Sequence, residues 1–317
     1  MTMLRRTLAA YAAMLALALG GLAPPAQAAD KVLRIGVQKY GTLVILRERH
    51  TLEPLLQKLG WTVRWTEFPG GPQLLEALNV GDLDFGTTGE APPVFAQAAG
   101  APLLYVGVEP PSPTGEAILV PKDSAIKSVA DLKGRRVALN KGSNVHFLLV
   151  QALKAAGLTP SDIEPVYLAP ADARAAFEQG AVDAWVIWDP FFAAGQAATG
   201  ARVLTDATGL APNRQYFLAT RDFATGQPAV LKALLDEIYA ADKWAEAHRD
   251  ETVAILTPSL KLPEAVVRTA VGRLAYGVGP MTPEAIADQQ RIADTFFALK
   301  LIPVPVSIRD ALWSPPS

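Results

Sequence analysis

One pattern occurs twice in this chain and narrows the folds open to it. The first copy runs from Gln73 through Leu74, Leu75, Leu78 and Gly81 to Asp84 and Phe85. The second runs from Asp172 through Ala173, Ala176, Phe177 and Gly180 to Asp183 and Ala184. In each copy, apolar residues at three- and four-residue spacing predict a helix. A glycine suited to the left-handed conformation ends it, and an Asp leads into a short apolar strand. The strands upstream also correspond: Arg34-Ile35-Gly36-Val37-Gln38-Lys39 parallels Arg136-Val137-Ala138-Leu139-Asn140-Lys141, each closing on an amide and a lysine. A unit met twice predicts two similar α/β lobes. Ligands of open α/β sheets bind beyond the carboxyl ends of the strands, so two such edges set face to face would enclose a cleft.

Size agrees with two lobes, because 317 residues exceed the roughly 250 at which single cores divide. Residues 1–29 read as a cleavable secretory leader: Arg5 and Arg6, an apolar run from Leu8 to Leu22, Pro24 and Pro25, then Ala26-Gln27-Ala28. The run is shorter than the roughly 20 residues that span a bilayer. Loss of the leader leaves 27 of the 29 basic residues against 31 acidic ones, which gives no basic footprint, so no nucleic-acid partner is expected. With no cysteine, disulfides, Cys-ligated zinc, thiol catalysis and a lipid-modified Cys tether are excluded. A soluble, exported, periplasmic monomer is the expectation.

Along the mature chain, strands are predicted at 32–37, 61–68, 84–87 and 103–108, with helices at 41–59, 72–79 and 92–99. Pro110, Pro111 and Pro113 then form a stiff connector. The alternation resumes with strands at 116–120, 136–139, 164–168 and 184–187 and helices at 144–156 and 172–179. A return crossing is expected around 213–220. Lobe I would comprise 30–112 and 217–317, and lobe II 113–216. Helices over 228–248, 266–272 and 283–299 are assigned to packing around the first lobe, and the Pro-rich tail to an extended strap.

The candidate site residues lie where predicted strands give way to helices. Gly142-Ser143-Asn144 places a flexible glycine, a hydroxyl and an amide before an apolar helix. Thr88-Gly89-Glu90 and Gly41-Thr42 do the same in the first lobe. Such termini leave N–H groups at the positive end of a helix dipole, where an anion is favoured. Ser, Thr and Asn also cap ordinary helices, but their recurrence in equivalent loops of both lobes favours a ligand. One terminus supplies about 0.3–1 kcal/mol when exposed, whereas micromolar affinity needs about 8 kcal/mol. Several termini must therefore act together, away from water and beside an apolar wall. Trp188 offers that wall, or packs in the core. Asp189, directly after Ala-Trp-Val-Ile-Trp, needs a partner or is strongly desolvated. Gln73 and Asp172 read as helix caps with ligand contact as the lesser option, and Lys39 and Lys141 either as solvated lysines or as long-range attraction for an anion. Three scattered histidines without metal-ligand spacing, and the absence of a nucleophile elbow, Walker loop or dinucleotide fingerprint, give no catalytic, metal or cofactor assignment.

The chain resembles the aliphatic-sulfonate-binding proteins of ABC importers over nearly its whole mature length. The resemblance rests on Arg34–Lys39, Glu67-Phe68-Pro69-Gly70-Gly71-Pro72-Gln73-Leu74-Leu75-Glu76-Ala77-Leu78-Asn79-Val80-Gly81, Val106–Pro111, Val129–Gly134, Pro170–Phe177 and Ala184–Pro190. It implies a type II periplasmic-binding-protein fold, each lobe a mainly parallel sheet flanked by helices, with a two-crossing hinge. It further implies capture of an alkanesulfonate and its delivery to an inner-membrane permease with a cytoplasmic ATPase. Carried over by position, the contacts would come from Gln38, Thr88, Gly89, Glu90, Gly142, Ser143, Asn144, Trp188 and Asp189. Relatives on this scaffold take taurine, nitrate or a thiamine-pyrimidine precursor, and a periplasmic enzyme or sensor is the remaining alternative.

Overall fold

The computed structural model describes residues 31–314, so the leader assignment lies outside the described residues. Two five-stranded sheets form. The first is built from β1 (Lys31–Val37), β2 (Trp61–Glu67), β3 (Phe85–Gly89), β4 (Leu103–Val108) and β10 (Gln215–Thr220), in the order β2-β1-β3-β10-β4. The second is built from β5 (Glu116–Val120), β6 (Arg136–Leu139), β7 (Glu164–Tyr167), β8 (Ala184–Trp188) and β9 (Arg202–Asp206), in the order β7-β6-β8-β5-β9. The orders are equivalent, and in each sheet the antiparallel strand is the one that has just crossed from the other lobe: β10 between β3 and β4, β5 between β8 and β9. The other strands run parallel, as the α/β alternation requires.

The duplicated unit folds alike in both places. Helix α3 (Gly71–Asn79) buries Leu74, Leu75 and Leu78, and α6 (Pro170–Glu178) buries Ala173 and Phe177. Their order in the chain follows α1 (Thr42–Arg49), α2 (Leu52–Gln57), α4 (Ala91–Ala98) and α5 (Asn144–Ala155). Gly81 and Gly180 sit at φ 81° and 70°. Asp82 N–H donates to Ala77 O at 2.9 Å, and Ala181 N–H to Ala176 O at 2.8 Å, the closing bonds of a Schellman motif. The repeat Asp then ties two strands: Asp84 Oδ2 accepts from Arg34 N–H at 2.8 Å, and Asp183 Oδ2 accepts from Arg136 N–H at 2.8 Å. A Cβ on Gly36 or Gly86 would stand 2.9 or 2.7 Å from Leu74 side-chain atoms, so α3 lies close on β1 and β3 only because those positions are bare.

Several predicted elements come out differently. The helix expected over 41–59 is two, broken at His50, which adopts φ 53°. Pro54 has no N–H for the His50 carbonyl, and a continuous helix would clash there. Also present are α7 (Phe191–Thr199), β9 and, in the C-terminal part, α8 (Arg221–Gly226), α9 (Pro228–Ala247) and α10 (Arg249–Leu260). The last two helices are not confined to the first sheet. In α11 (Glu264–Gly272), Val266 and Ala270 pack on Ala193 and Ala194 of α7. In α12 (Pro283–Ala298), the Phe296 ring lies 5.0 Å from Phe95 of α4 and 5.8 Å from Phe147 of α5. The tail returns to β4, where Trp313 N–H donates to Tyr105 O at 3.1 Å. The two crossings lie side by side: Glu109 N–H donates to Gln215 O at 2.8 Å, and Asn213 Nδ2 to Ser112 O at 2.7 Å.

Candidate functional site

The carboxyl ends of the two sheets meet. Gly89, which closes β3, lies against Asn144 at the start of α5, where a Cβ on the glycine would be 2.9 Å from Asn144 Cβ. Gly70, at the N-cap of α3, faces Asn140 beyond the end of β6, and its Cβ would stand 2.9 Å from Asn140 Nδ2 and 3.1 Å from Gln73 Oε1. Gly71 lies against Thr88 and Pro92, and Gly142, at φ 75°, against Phe95. Thr88, Gly89, Gly142, Ser143 and Asn144 therefore come together where the N-termini of α3 and α4 face that of α5. Gln38 joins them through Nε2, which donates to Thr87 O at 3.0 Å.

Local bonding explains the second-lobe loop. Ser143 donates to Asn140 O from both Oγ, at 2.7 Å, and N–H, at 3.3 Å. His146 Nδ1 accepts from Gly142 N–H at 3.3 Å. Burial, with Lys141 nearby, drives the His146 pKa down to about 4, so the ring is neutral and able to accept. Of the first-turn N–H groups of α5, that of His146 donates to Ser143 O at 3.0 Å, while those of Asn144 and Val145 have no preceding helical carbonyl to meet. Two buried side-chain atoms beside them, Asn140 Nδ2 and Gln73 Oε1, have no hydrogen-bond partner. Leaving a buried polar atom unpaired costs about 1–3 kcal/mol, and a bound ligand is one ordinary resolution. A half-turn of the Gln73 amide exchanges its oxygen and nitrogen, so either side chain can donate into the gap.

Buried carboxyls stand at the same edges of the two sheets. Glu90 and Asp189 occupy equivalent places after β3 and β8. Burial raises Glu90 to about 8, opposed by Arg214, whose N–H donates to Oε2 at 2.9 Å. Burial raises Asp189 to about 6, opposed by Arg273 at 3.2 Å and by Ala193 N–H at 3.0 Å. Glu116, at the start of β5, is pushed well above the usual carboxylate range by burial and then by Glu90, and it accepts from Asn144 Nδ2. Near neutral pH, Glu90 is mainly protonated, Glu116 is shifted in the same direction, and Asp189 is mainly ionised against Arg273.

Other candidate residues are engaged elsewhere. Thr42 donates to Glu109 Oε1 from Oγ at 2.8 Å and from N–H at 3.3 Å, and its Oγ also reaches Asp242 at 3.1 Å, so the tip of α1, entered from Gly41, is filled by a carboxylate of the chain. Asp172 is exposed in the first turn of α6, and neither it nor Gln73 is a cap: the N-caps are Ala169 and Gly70. Pro92 and Pro93 remove two N–H groups from the tip of α4. Trp188 is buried, edge-on to Phe191 with ring centroids 6.3 Å apart. Among the described residues, no group of three or more His, Asp or Glu could hold a metal ion. Sequence reasoning passed over Asn140 as a ligand group and ranked ligand contact at Gln73 below capping, although their places after a strand and in a repeat helix were visible. It had no signal for Arg273, which lies beyond α11 and reaches Asp189 only through the fold.

The fold has close counterparts. The family model described as NMT1/THI5 like matches residues 57–252. A curated relative from Escherichia coli (strain K12), whose name assigns it aliphatic sulfonates, is 46% identical over 308 residues, covering 94% of this chain and 96% of that protein. The crystal structure of the periplasmic aliphatic sulphonate binding protein of Escherichia coli superposes with a TM-score of 0.81 at 46% identity, covering 90% of this chain and 93% of that one. The alkanesulfonate-binding protein of Xanthomonas axonopodis pv. citri, solved with MOPS bound, gives a TM-score of 0.85 at 44% identity, covering 89% and 98%. Identity of this order along nearly the full length of both partners, on one two-sheet topology, places the chain in the NMT1/THI5-like family, among the periplasmic aliphatic-sulfonate-binding proteins.

Proposed function

We propose that this protein is the solute-binding component of an ABC importer, capturing an aliphatic sulfonate between its lobes and delivering it to an inner-membrane permease with its ATPase. The observation that carries this reading is the gap at Gly70, where Asn140 Nδ2 and Gln73 Oε1, both without a partner, face the bare side of the glycine. A sulfonate presents three acceptor oxygens and one delocalised charge, which suits amide donors and helix-terminal N–H groups. Burial favours the neutral form of Glu90 and Glu116, which limits negative charge beside that gap. Thr88, Gly89, Gly142, Ser143, Asn144 and Gln38 complete its wall, with Trp188 behind. Residues 30–112 with 217–317 form one body in this reading and 113–216 the other, moving about the paired crossings. The protein acts as an exported monomer and needs no cofactor.

Titration calorimetry on protein stripped of ligand by unfolding and refolding tests this. Affinity near or below about 10 µM for ethane- and butanesulfonate, with little heat from sulfate or nitrate, is the expected result. Heat from taurine or a pyrimidine alone would reassign the ligand, and turnover of any bound compound would overturn the receptor reading.

A further inference from the structure

The duplicated unit builds a second correspondence, at the two ends of the cleft. A pocket of 360 Å³ opens between the Lys141-Gly142 loop and α3 and α4, and α3 contributes Pro72, Leu75, Glu76 and Asn79. A pocket of 380 Å³ opens between Lys39 and α6 and α7, and α6 contributes Ala171, Arg174, Ala175 and Glu178. In the alignment that matches Gln73 with Asp172, these are the same four helix positions, each facing the lysine that follows the equivalent strand of the opposite lobe. The cleft thus has two mouths made by one design, and their chemistry has diverged.

The α3 mouth is apolar: Pro72 and Leu75 face Pro92, Phe95, Ala96 and Ala99, with charge only from Glu76 and Lys141. The α6 mouth has apolar lining too, from Phe191, Leu260 and Leu262, but it sets four charged side chains, Lys39, Arg174, Glu178 and Lys261, among it, with Arg174 Nε bonded to Glu178 at 2.6 Å. The α3 mouth also joins the anion gap directly. Phe95 lies against Gly142, and Pro92 against Gly71 beside Thr88. A hydrocarbon in the α6 mouth would strip water from four charged groups, which is unfavourable, whereas in the α3 mouth it covers apolar surface.

We propose that the hydrocarbon part of the ligand lies in the α3 mouth, so that the lining of Leu75, Phe95 and Ala96 sets the chain length and bulk of the sulfonates accepted. This rests on the sulfonate reading of the cleft. Leu75 is buried in the core and the α6 mouth is open to the same solvent, so matched surface changes are the cleaner probes.

The test measures affinities for ethane-, butane-, hexane- and octanesulfonate in the wild type, in Ala96→Glu and in Ala175→Glu, each variant adding one carboxylate to one mouth. Wild-type affinity should rise about fourfold per methylene over the chain that fits. Ala96→Glu should reduce that to less than about twofold while ethanesulfonate affinity changes no more than it does in Ala175→Glu. Ala175→Glu should keep the wild-type increment. An unchanged increment in Ala96→Glu, a lost one in Ala175→Glu, or no increment in a wild type that binds ethanesulfonate well would overturn the proposal alone. A wild type that binds none of the four would overturn the sulfonate function and this proposal together.

Discussion

Asn140 and Arg273 show how much individual side chains contribute beyond their place in the chain. Asn140 Nδ2 is buried without a partner, so its removal relieves the empty protein while a bound anion loses a charge-assisted bond worth about 1.5–3 kcal/mol. Asn140→Ala should weaken ethanesulfonate binding roughly ten- to 150-fold without lowering the melting temperature of the ligand-free protein, as calorimetry and thermal melts would read. A tryptophan at Ser143, which blocks the same gap, is a poorer probe. Ser143 is buried and bonded to Asn140 O at 2.7 Å, so the larger side chain would strain the loop as well. Arg273 is the converse case. It faces a fully buried Asp189 at 3.2 Å, donates to Gln196 Oε1 at 2.9 Å and lies 3.9 Å over the Phe192 ring. Arg273→Met would leave that carboxylate uncompensated, a loss of about 3–5 kcal/mol in urea denaturation at neutral pH. Burial raises the Asp189 pKa and Arg273 holds it down to about 6, so without the arginine the carboxyl takes up its proton at a higher pH, and part of the loss should already return as the pH is lowered toward 6.

At the scale of elements, the duplicated helix-glycine-Asp-strand unit was legible because each of its parts has a local cause. The apolar spacing, the left-handed glycines at Gly81 and Gly180, and Asp84 and Asp183 bonding to the backbone of Arg34 and Arg136 all lie within reach of the pattern itself. Long-range elements were harder. Strand β9 and helix α7 carry weak signals of their own, and α11 and α12 take their places by packing on α7, α4 and α5. The contact between β3 and α5 is testable at one residue. A Cβ at position 89 would stand 2.9 Å from Asn144 Cβ and 3.0 Å from its Cγ. Gly89→Ala should therefore hold the lobes slightly apart, costing about 1–3 kcal/mol of ligand affinity. The melting temperature without ligand should stay near that of the wild type. Scattering profiles with saturating ligand would show a wider molecule than the wild type, and an unchanged profile with unchanged affinity would remove this contact from the closed form.

The whole molecule places an unusual number of carboxyls between and beside its lobes, and its stability should follow their protons. Burial raises Glu90, Glu109 and Asp189 to about 8, 7 and 6, from ordinary values of 4.5, 4.5 and 3.8. Between those limits the native state binds more protons than the unfolded chain. Their contribution is thus fully present below the unfolded values and is lost as the pH rises through 6 to 8. His146, lowered from 6.5 to about 4, has the opposite sign and loses its contribution as the pH falls through that interval. The melting temperature should fall from about pH 6 to about pH 9, and Glu90→Gln should make that fall shallower; equal slopes would mean that Glu90 is solvated. Sequence alone determined the two α/β lobes, the loops at their strand ends and the family, because periodicity, glycine conformation and short-range capping are local properties. Tertiary structure decided which of those loops keep donors for a guest. Whether the tip of a helix keeps side-chain groups without a partner, as at Asn140 and Gln73, or meets a carboxylate of its own chain, as at Thr42 with Glu109, depends on residues far apart in sequence that only packing brings together.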